Sequence, residues 1–403
     1  MLGAARAIMQ TAFTADQLAR PEIAEAAGIL KDCVHYGFCT AVCPTYVLTR
    51  DEKEAPRGRI DLIREMLESD GPPDPKTVGH VDSCLSCNSC MTTCAAKVDY
   101  LHLADIARAH IEATYRRPLA DRLLRRIIAR TLTDPGRFRR AARVARLAAP
   151  VRALMPGRLR VLVDMAREAP PMADPPVEAR TYAADGERQG RVALLAGCVQ
   201  QAMAPRLTRA AIRLLTRHGI EVVVPAGADC CGALTLHMGK MDAARASAGA
   251  TLAALGREID GDGLDAVLVT ASGCGTTVKE YGQLFRDDPA RRDAAARLSE
   301  MTRDISEFAA KLDLDFGDTA IPLRVAYHDA CSLQHAQKVT EPPRQLLRDA
   351  GFVVHDVPER HFCCGSAGTY NLLQPAMAGQ LGKRKAGHIE STGAEAFAAG
   401  NLG

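Results

Sequence analysis

The chain has 403 residues, enough for two or three domains, and its 47% hydrophobic content is that of an ordinary globular protein rather than a disordered one. A formal net charge of +3 excludes a molecule built throughout to bind nucleic acid, and aromatic residues at 4%, with no Trp, argue against base-stacking surfaces. The segment Met1–Ala24 has no apolar run of signal-peptide length and no stretch reaches the ~18 apolar residues of a membrane span, so the expected location is the cytoplasm. In that reducing compartment fourteen cysteines point to metal ligation rather than to a disulfide framework.

Residues 1–32 read as a short polar helix with a boundary near Pro21, leading into a first cysteine run. This run, CVHYGFCTAVCP, supplies Cys33, Cys39, Cys43 and Pro44, with Tyr36 where a second cysteine would stand. EAPRGRIDLIREMLES then reads as a helix with Ile60, Ile63 and Leu67 on one face. The second run, CLSCNSCMTTC, is the most specific signal in the chain. Its Cys84, Cys87, Cys90 and Cys94 follow C-x2-C-x2-C-x3-C, the spacing that wraps a cubane iron–sulfur cluster. Structural zinc usually takes two separated pairs of ligands and has no use for a third thiolate so close to the second.

In two-cluster ferredoxins the fourth cysteine of each run serves the other cluster. Crosswise ligation gives one complete set, Cys84, Cys87 and Cys90 with Cys43, and one incomplete set, Cys33 and Cys39 with Cys94. The complete set is expected to hold a [4Fe-4S] cluster. The incomplete set is expected to hold a [3Fe-4S] cluster or a four-iron cluster with one labile iron; the alternative is a site left empty or unstable by Tyr36. A helix from Tyr100 to Tyr115 closes an all-α, two-cluster ferredoxin domain over residues 1–115, with His102 and His110 as surface or packing residues.

From Arg116 to Arg167 there are fifteen Arg and three acidic residues, on a helical periodicity broken at Pro135, Pro150 and Pro156. Two readings stay open: a docking surface for an acidic partner subunit or anionic lipid headgroups, or a solvated connector whose Arg stems cover apolar surface. With the Pro-rich stretch at 169–190, residues 116–190 form a basic helical connector and linker.

Beyond residue 190 strands and helices alternate, which implies an α/β fold with parallel strands. VALLAG ends at Cys198; a helix follows from Pro205 with Leu207, Ala210, Ala211, Leu214 and Leu215 on one face, stopped at Gly219. IEVVVP leads to Asp229, Cys230, Cys231 and Gly232, and DAVLVTA ends at Ser272, Gly273 and Cys274. Ligands bind at the carboxyl ends of parallel strands, so Cys198, Cys230, Cys231 and Cys274 are expected to converge on one crevice. The pattern repeats: Cys331 follows one strand, and Cys363 and Cys364 follow FVVHDV. Cys198 to Cys230 and Cys331 to Cys363 are both 32 positions, so residues 191–315 and 316–403 read as a duplicated cysteine-rich module. The second copy stops short of a counterpart to Cys274, and a truncated C-terminus is expected.

These motifs resemble the iron–sulfur subunits of bacterial glycolate oxidases and, more broadly, the heterodisulfide-reductase-like cysteine-rich (CCG) proteins. The resemblance covers nearly the whole chain and is sharpest at APRGRIDLI, TASGCGTTVKEYG, SLQHAQK and FCCGSAGTY. It departs at Tyr36, where the family has cysteine, and at Ala95, where proline commonly follows the second run. The resemblance implies an electron-transfer subunit, peripheral on the cytoplasmic membrane face, that takes electrons from flavin-containing dehydrogenase subunits oxidising glycolate to glyoxylate and passes them toward a quinone. The related glycerol 3-phosphate and lactate dehydrogenases are alternatives. In heterodisulfide reductase relatives each module has a fifth cysteine and holds a non-cubane cluster, whereas Cys274 here has no companion in a C-x2-C pair.

Oxidising an α-hydroxy acid calls for a hydride acceptor such as flavin or NAD. The chain has no G-x-G-x-x-G after a strand, no Walker A loop and no G-x-S-x-G elbow, so no catalytic acid, base or nucleophile is assigned. His328, His361 and Asp229 read as packing residues or as hydrogen-bond partners of neighbouring ligands. Four thiolates per module suit a cubane, a smaller iron–sulfur centre or zinc, which leaves a zinc-holding scaffold as a rival. A dithiol role for Cys230 and Cys231, as in a thiol–disulfide reductase, is a further one.

Overall fold

The computed structural model describes residues 9–155, 157–169, 172–317 and 322–402; Pro156 and Gly403, which enter the readings above, lie outside them. The chain divides into two compact units. The first is built from the chain up to Arg122, with two segments from much later, Leu236–Met241 and His361–Lys385. The second takes Leu123–Thr235, Asp242–Arg360 and the chain from Ala386 onward.

Every described element of the first unit is helical. Helix α1 (Pro21–Asp32) starts on its proline, where the missing N–H has no helical partner to lose, so Pro21 opens a helix rather than dividing one. Helix α2 (Pro56–Ser69) starts the same way and buries Ile60, Ile63 and Leu67, the face expected from their spacing. Asp74 caps α3 (Pro75–Asp82), and the Asp99 carboxylate accepts from the His102 amide at the start of α4 (Tyr100–Thr114). Ile23, Leu30, Ile63, Leu67, Leu103 and Ile111 meet in one core, each fully buried and each contributing about 1.5–3 kcal/mol. The Arg-rich tract folds as α5 (Leu119–Leu132), α6 (Pro135–Leu147), a 3-10 turn over Ala149–Leu154, and α7 (Gly157–Glu168).

The second unit carries two sheets. The larger has the order β1-β3-β2-β4-β5, from β1 (Thr181–Tyr182), β2 (Gly190–Leu195), β3 (Ile220–Val223), β4 (Ala266–Val269) and β5 (Thr302–Asp304). All its neighbours are parallel except β1, which pairs antiparallel with β3, Thr181 opposite Val223. The smaller is all parallel, with β6 (Arg324–His328) between β7 (Val353–Asp356) and β8 (Ala396–Ala399). Its order β7-β6-β8 repeats β3-β2-β4 of the larger sheet. Val192 to Leu195 and all of β4 are buried, as the inner strands of a sheet covered on both faces must be.

Two local readings change. The stretch at 169–190 is not a bare linker: β1 lies in it, and Val177 is buried in the core beside Leu194 and Leu215. Helix α8 (Pro205–Arg217) buries Thr208, Ala211, Ile212 and Leu215 and leaves Leu207 exposed. Both stripes have helical spacing; packing against the sheet selects the one that includes the β-branched Ile212.

Candidate metal centres

The two ferredoxin-type runs share one backbone path. His35 and Ser86 both have positive φ, 55° and 49°, and so do Gly37 and Asn88, at 80° and 60°. Counted from Cys33 and Cys84, these are equivalent positions, so Tyr36 occupies the place in the first loop that Cys87 occupies in the second. Each loop then enters a short helix, Phe38–Ala41 or Ser89–Thr93, that carries Cys39 or Cys90, six positions after the first cysteine of its run.

Cys33, Cys39, Cys94 and Tyr36 line a single pocket, with Cys90, Pro56 and Tyr100 also on its wall. Cys94 of the second run thus lies with Cys33 and Cys39 of the first, and Cys90 shares the same pocket. Burial pushes the Cys33 and Cys39 thiols up; Cys94 adds to it at both, and Cys33 adds to it at Cys39. Tyr36 is 57% exposed and tilts against Phe38, with ring centroids 6.1 Å apart.

Around the other set, burial and then the neighbouring thiols Cys84 and Cys43 push Cys90 up. Burial, Cys363 and Cys90 do the same to Cys87. Cys363 comes from the late segment that folds into the first unit, so a module cysteine shares the surroundings of the complete ferredoxin set. Several buried thiols that raise one another favour a bound cation, since a cation converts their mutual repulsion into attraction.

Arg59, fully buried, brings a positive charge to the thiol of Cys43 in this set. Its guanidinium donates to Glu54 at 2.6 Å, Ser83 at 2.8 Å, Thr45 at 3.1 Å and the His80 carbonyl at 2.6 Å, and Nη1 lies 3.9 Å from the Cys43 sulfur. Burial works against its charge, but Cys84, Tyr100, Cys43 and Glu54 outweigh that and hold it protonated. Arg108, on α4, holds the Cys84 loop from the other side, donating to the Cys84 carbonyl at 2.8 Å and to Ser86 at 2.6 Å. Asp105 backs Arg108 at 3.6 Å and meets His237, from the segment Leu236–Met241, at 3.2 Å. The sequence carried no signal for this partnership, because Asp105 and His237 are joined only by the fold.

In the second unit Cys198, Cys230, Cys231 and Cys274 come together at the carboxyl ends of β2, β3 and β4. Cys198 hydrogen-bonds Cys230, which pushes Cys198 up and pulls Cys230 down, and Cys231 is pushed up by its hydrogen bond with Cys274 and by burial. A Cβ on Gly197 would lie 4.0 Å from the Cys274 sulfur, which ties the loop before Cys198 to the fourth thiol. The Tyr281 hydroxyl donates to the Cys231 carbonyl at 2.9 Å, and Thr251 to that of Cys230 at 3.0 Å. The glycine of the Cys-Cys-Gly motif has one role in both copies. Gly232 and Gly365 have φ of 87° and 88°, and an added Cβ would lie 2.8 Å from the Ala244 carbonyl oxygen or 2.6 Å from that of Ala378.

The second copy is divided. Cys331 follows β6 in the second unit and opens a π-helical turn, Ser332–Ala336, whereas Cys363 and Cys364 belong to the first. The turn after Cys331 is fastened to the helix that carries Cys274: Ser272 and Ser332 hydroxyls are 2.7 Å apart, and Gln337 donates to the Ser272 carbonyl at 2.8 Å. Of the residues beside the module cysteines, His328 is buried with an unpartnered Nδ1, His361 is half-buried against Phe362, and Asp229 is exposed. Among the described residues no three His, Cys, Asp or Glu side chains close on a point that would hold a single metal ion. A cluster, whose thiolates bind separate irons, needs no such closure.

Comparison with known proteins recovers the ferredoxin-type region and both cysteine-rich modules. Residues 29–98 match the 4Fe-4S dicluster domain, and residues 192–279 and 325–402 each match the cysteine-rich domain CCG. The fold and its thiol sets thus define a protein of the ferredoxin type joined to cysteine-rich modules. The chain is 38% identical to the glycolate oxidase iron–sulfur subunit of Escherichia coli K12 across 98% of its own length and 93% of that protein's. It is 30% identical to the probable glycolate oxidase iron–sulfur subunit of Bacillus subtilis 168, across 93% and 87%. Lactate utilization protein A of Shouchella clausii is 28% identical over 53% of this chain and 87% of its own length. The chain belongs to the family of glycolate oxidase iron–sulfur subunits.

Proposed function

We propose that this chain is the electron-transfer subunit of a glycolate-oxidising complex, taking electrons from a flavin-bearing partner that converts glycolate to glyoxylate and delivering them toward a membrane quinone. The observation that supports the proposal is the gathering of Cys84, Cys87, Cys90 and Cys43, with the buried Arg59 beside Cys43, next to a pocket lined by Cys33, Cys39 and Cys94. An iron–sulfur cluster supplies one-electron carriage, which a two-electron flavin donor needs in order to discharge stepwise.

The first four thiols would hold a [4Fe-4S] cluster. Cys33, Cys39 and Cys94 would hold a [3Fe-4S] cluster, since Tyr36 takes the position of a ligand and turns an aromatic ring outward instead. Cys198, Cys230, Cys231 and Cys274 would hold a further iron–sulfur or zinc centre, with Cys331, Cys363 and Cys364 as the thiols of the second module. Arg59 sets a positive charge beside the ligand Cys43, and the Thr45 and Tyr100 hydroxyls hydrogen-bond Cys43 and Cys84. Glycolate is preferred over lactate or glycerol 3-phosphate as the partner's substrate because the match to glycolate oxidase subunits runs through nearly the whole chain, while that to the lactate utilization protein covers half.

The test is anaerobic purification with counts of iron, zinc and sulfide, and EPR spectra before and after dithionite. A reducible cubane signal with a three-iron signal in the oxidised protein is the expected result. Zinc without sulfide would overturn the reading and leave a structural scaffold. Co-purification with a flavoprotein that reduces on lactate and not on glycolate would reassign the substrate.

A further inference from the structure

The Arg-rich tract has no part in the thiol sites, and its surface is unusual in two respects at once. First, large apolar side chains stand in solvent. Val144, Leu147, Val151 and Leu154 are 66%, 81%, 50% and 87% exposed. They recur at intervals of three, four and three residues along α6 and the 3-10 turn that continues it, so they form one stripe. Leu159, at the start of α7, is exposed as well. Second, the charge on these helices is predominantly positive. Arg126, Arg140, Arg143 and Arg160 are exposed. From Leu123 to Glu168 the carboxylates are Asp134, Asp164 and Glu168: Asp134 caps α6, Asp164 pairs with Arg152 at 2.6 Å, and Glu168 ends α7.

The arrangement is held rigidly from beneath. Arg139 donates to the Gln201, Ala202 and Asp174 carbonyls at 2.9, 3.1 and 2.6 Å, which fixes the inner side of α6. Arg146 donates to the Ala166 and Ala169 carbonyls, both at 2.7 Å, and ties α6 to the end of α7. The exposed stripe is therefore the outer face of a packed helical hairpin.

We infer that the Val144–Leu147–Val151–Leu154 stripe and the arginines beside it form a docking surface for an anionic phospholipid membrane. Stable attachment at a bilayer surface takes two signals, apolar side chains that enter the acyl boundary and cations that meet the headgroups, and this face supplies both. The arginine stems reach the headgroup layer while the leucines sit lower. An acidic protein partner fits less well: the centres of protein interfaces favour aromatic anchors, and the sole aromatic residue of the tract, Phe138, is half-buried. No described helix is long and apolar enough to cross a membrane, so attachment through such a helix does not arise among the described residues.

The experiment is flotation of the full-length protein with vesicles of phosphatidylcholine alone or mixed with phosphatidylglycerol, at low and high salt. Binding to the anionic vesicles only, weakened by salt, is expected. Leu147→Glu with Leu154→Glu should weaken it about tenfold or more, and Arg140→Ala with Arg143→Ala should reduce its salt dependence. Both pairs lie on the surface, and unchanged melting and visible absorbance establish that the fold is intact. Equal binding to neutral vesicles, a doubly substituted protein that binds as the parent does, or absence of binding with the stripe protected by a co-purified protein subunit would each overturn the inference. Because vesicle binding is read without electron transfer, its failure leaves the iron–sulfur reading standing, and the reverse also holds.

Discussion

Arg59 Nη1 lies 3.9 Å from the Cys43 sulfur while the same guanidinium is paired with Glu54 at 2.6 Å, both side chains out of solvent. The pair sets a fixed positive charge against the ligands of the complete thiol set. Replacing Arg59 by Met strands the Glu54 carboxylate and should cost about 3–5 kcal/mol, measured by denaturant unfolding. It should also lower the midpoint potential of the centre those thiols hold, followed by EPR during a redox titration, because a positive charge favours the more negative reduced state. Arg59→Lys keeps the charge and loses the planar fork, so it should lower stability with a smaller effect on the potential. A folded Arg59→Met protein with the parental midpoint would count against the electrostatic role.

Two glycines in helices should respond to alanine with opposite sign. Helix propensity alone favours alanine by about 0.8–1 kcal/mol at either place. At Gly28 a Cβ meets nothing within 4 Å, and Gly28→Ala should stabilise the first unit by up to about that amount. At Gly58 it would sit 2.2 Å from the Glu52 carbonyl oxygen, so Gly58→Ala must push apart α2 and the turn over Glu52–Glu54, costing about 1–3 kcal/mol. Melting temperatures of the two variants decide it.

Arg344 is the corresponding buried charge of the second module. It grips Asp329, 1% exposed, through two hydrogen bonds of 2.8 and 2.6 Å, and reaches Asp356 at the end of β7. Arg344→Met should destabilise by about 3–5 kcal/mol through the unpaired Asp329. Arg344→Met with Asp329→Asn should recover part of the loss, and a double variant no better than the single would assign the damage to packing against Tyr327, whose ring centroid is 4.7 Å from the guanidinium.

Tyr36 and Cys87 hold equivalent backbone positions in their loops, so Tyr36→Cys should restore a fourth ligand. The expected outcome is one more iron per chain and loss of the oxidised three-iron EPR signal in favour of a reducible cubane signal. An unchanged iron count and spectrum would show that the first loop cannot present a thiol there.

The chain's own order of residues determined the local matters. Cysteine spacing identified the ferredoxin-type region, since a few residues of loop hold the thiols of each run close together. Apolar periodicity placed α2 and the strands β2, β3, β4, β6 and β7, and the equal intervals between cysteines marked the repeat that the two sheets display. Only the tertiary structure decided what depends on distant segments. It buried Arg59 beside Cys43, chose Ile212 over Leu207 for the covered face of α8, drew β1 out of a Pro-rich stretch, and folded His237 and Cys363 into the helical unit. Each of these is settled by which apolar surface finds cover and which charge finds a partner, and neither can be counted along the chain until the elements have packed.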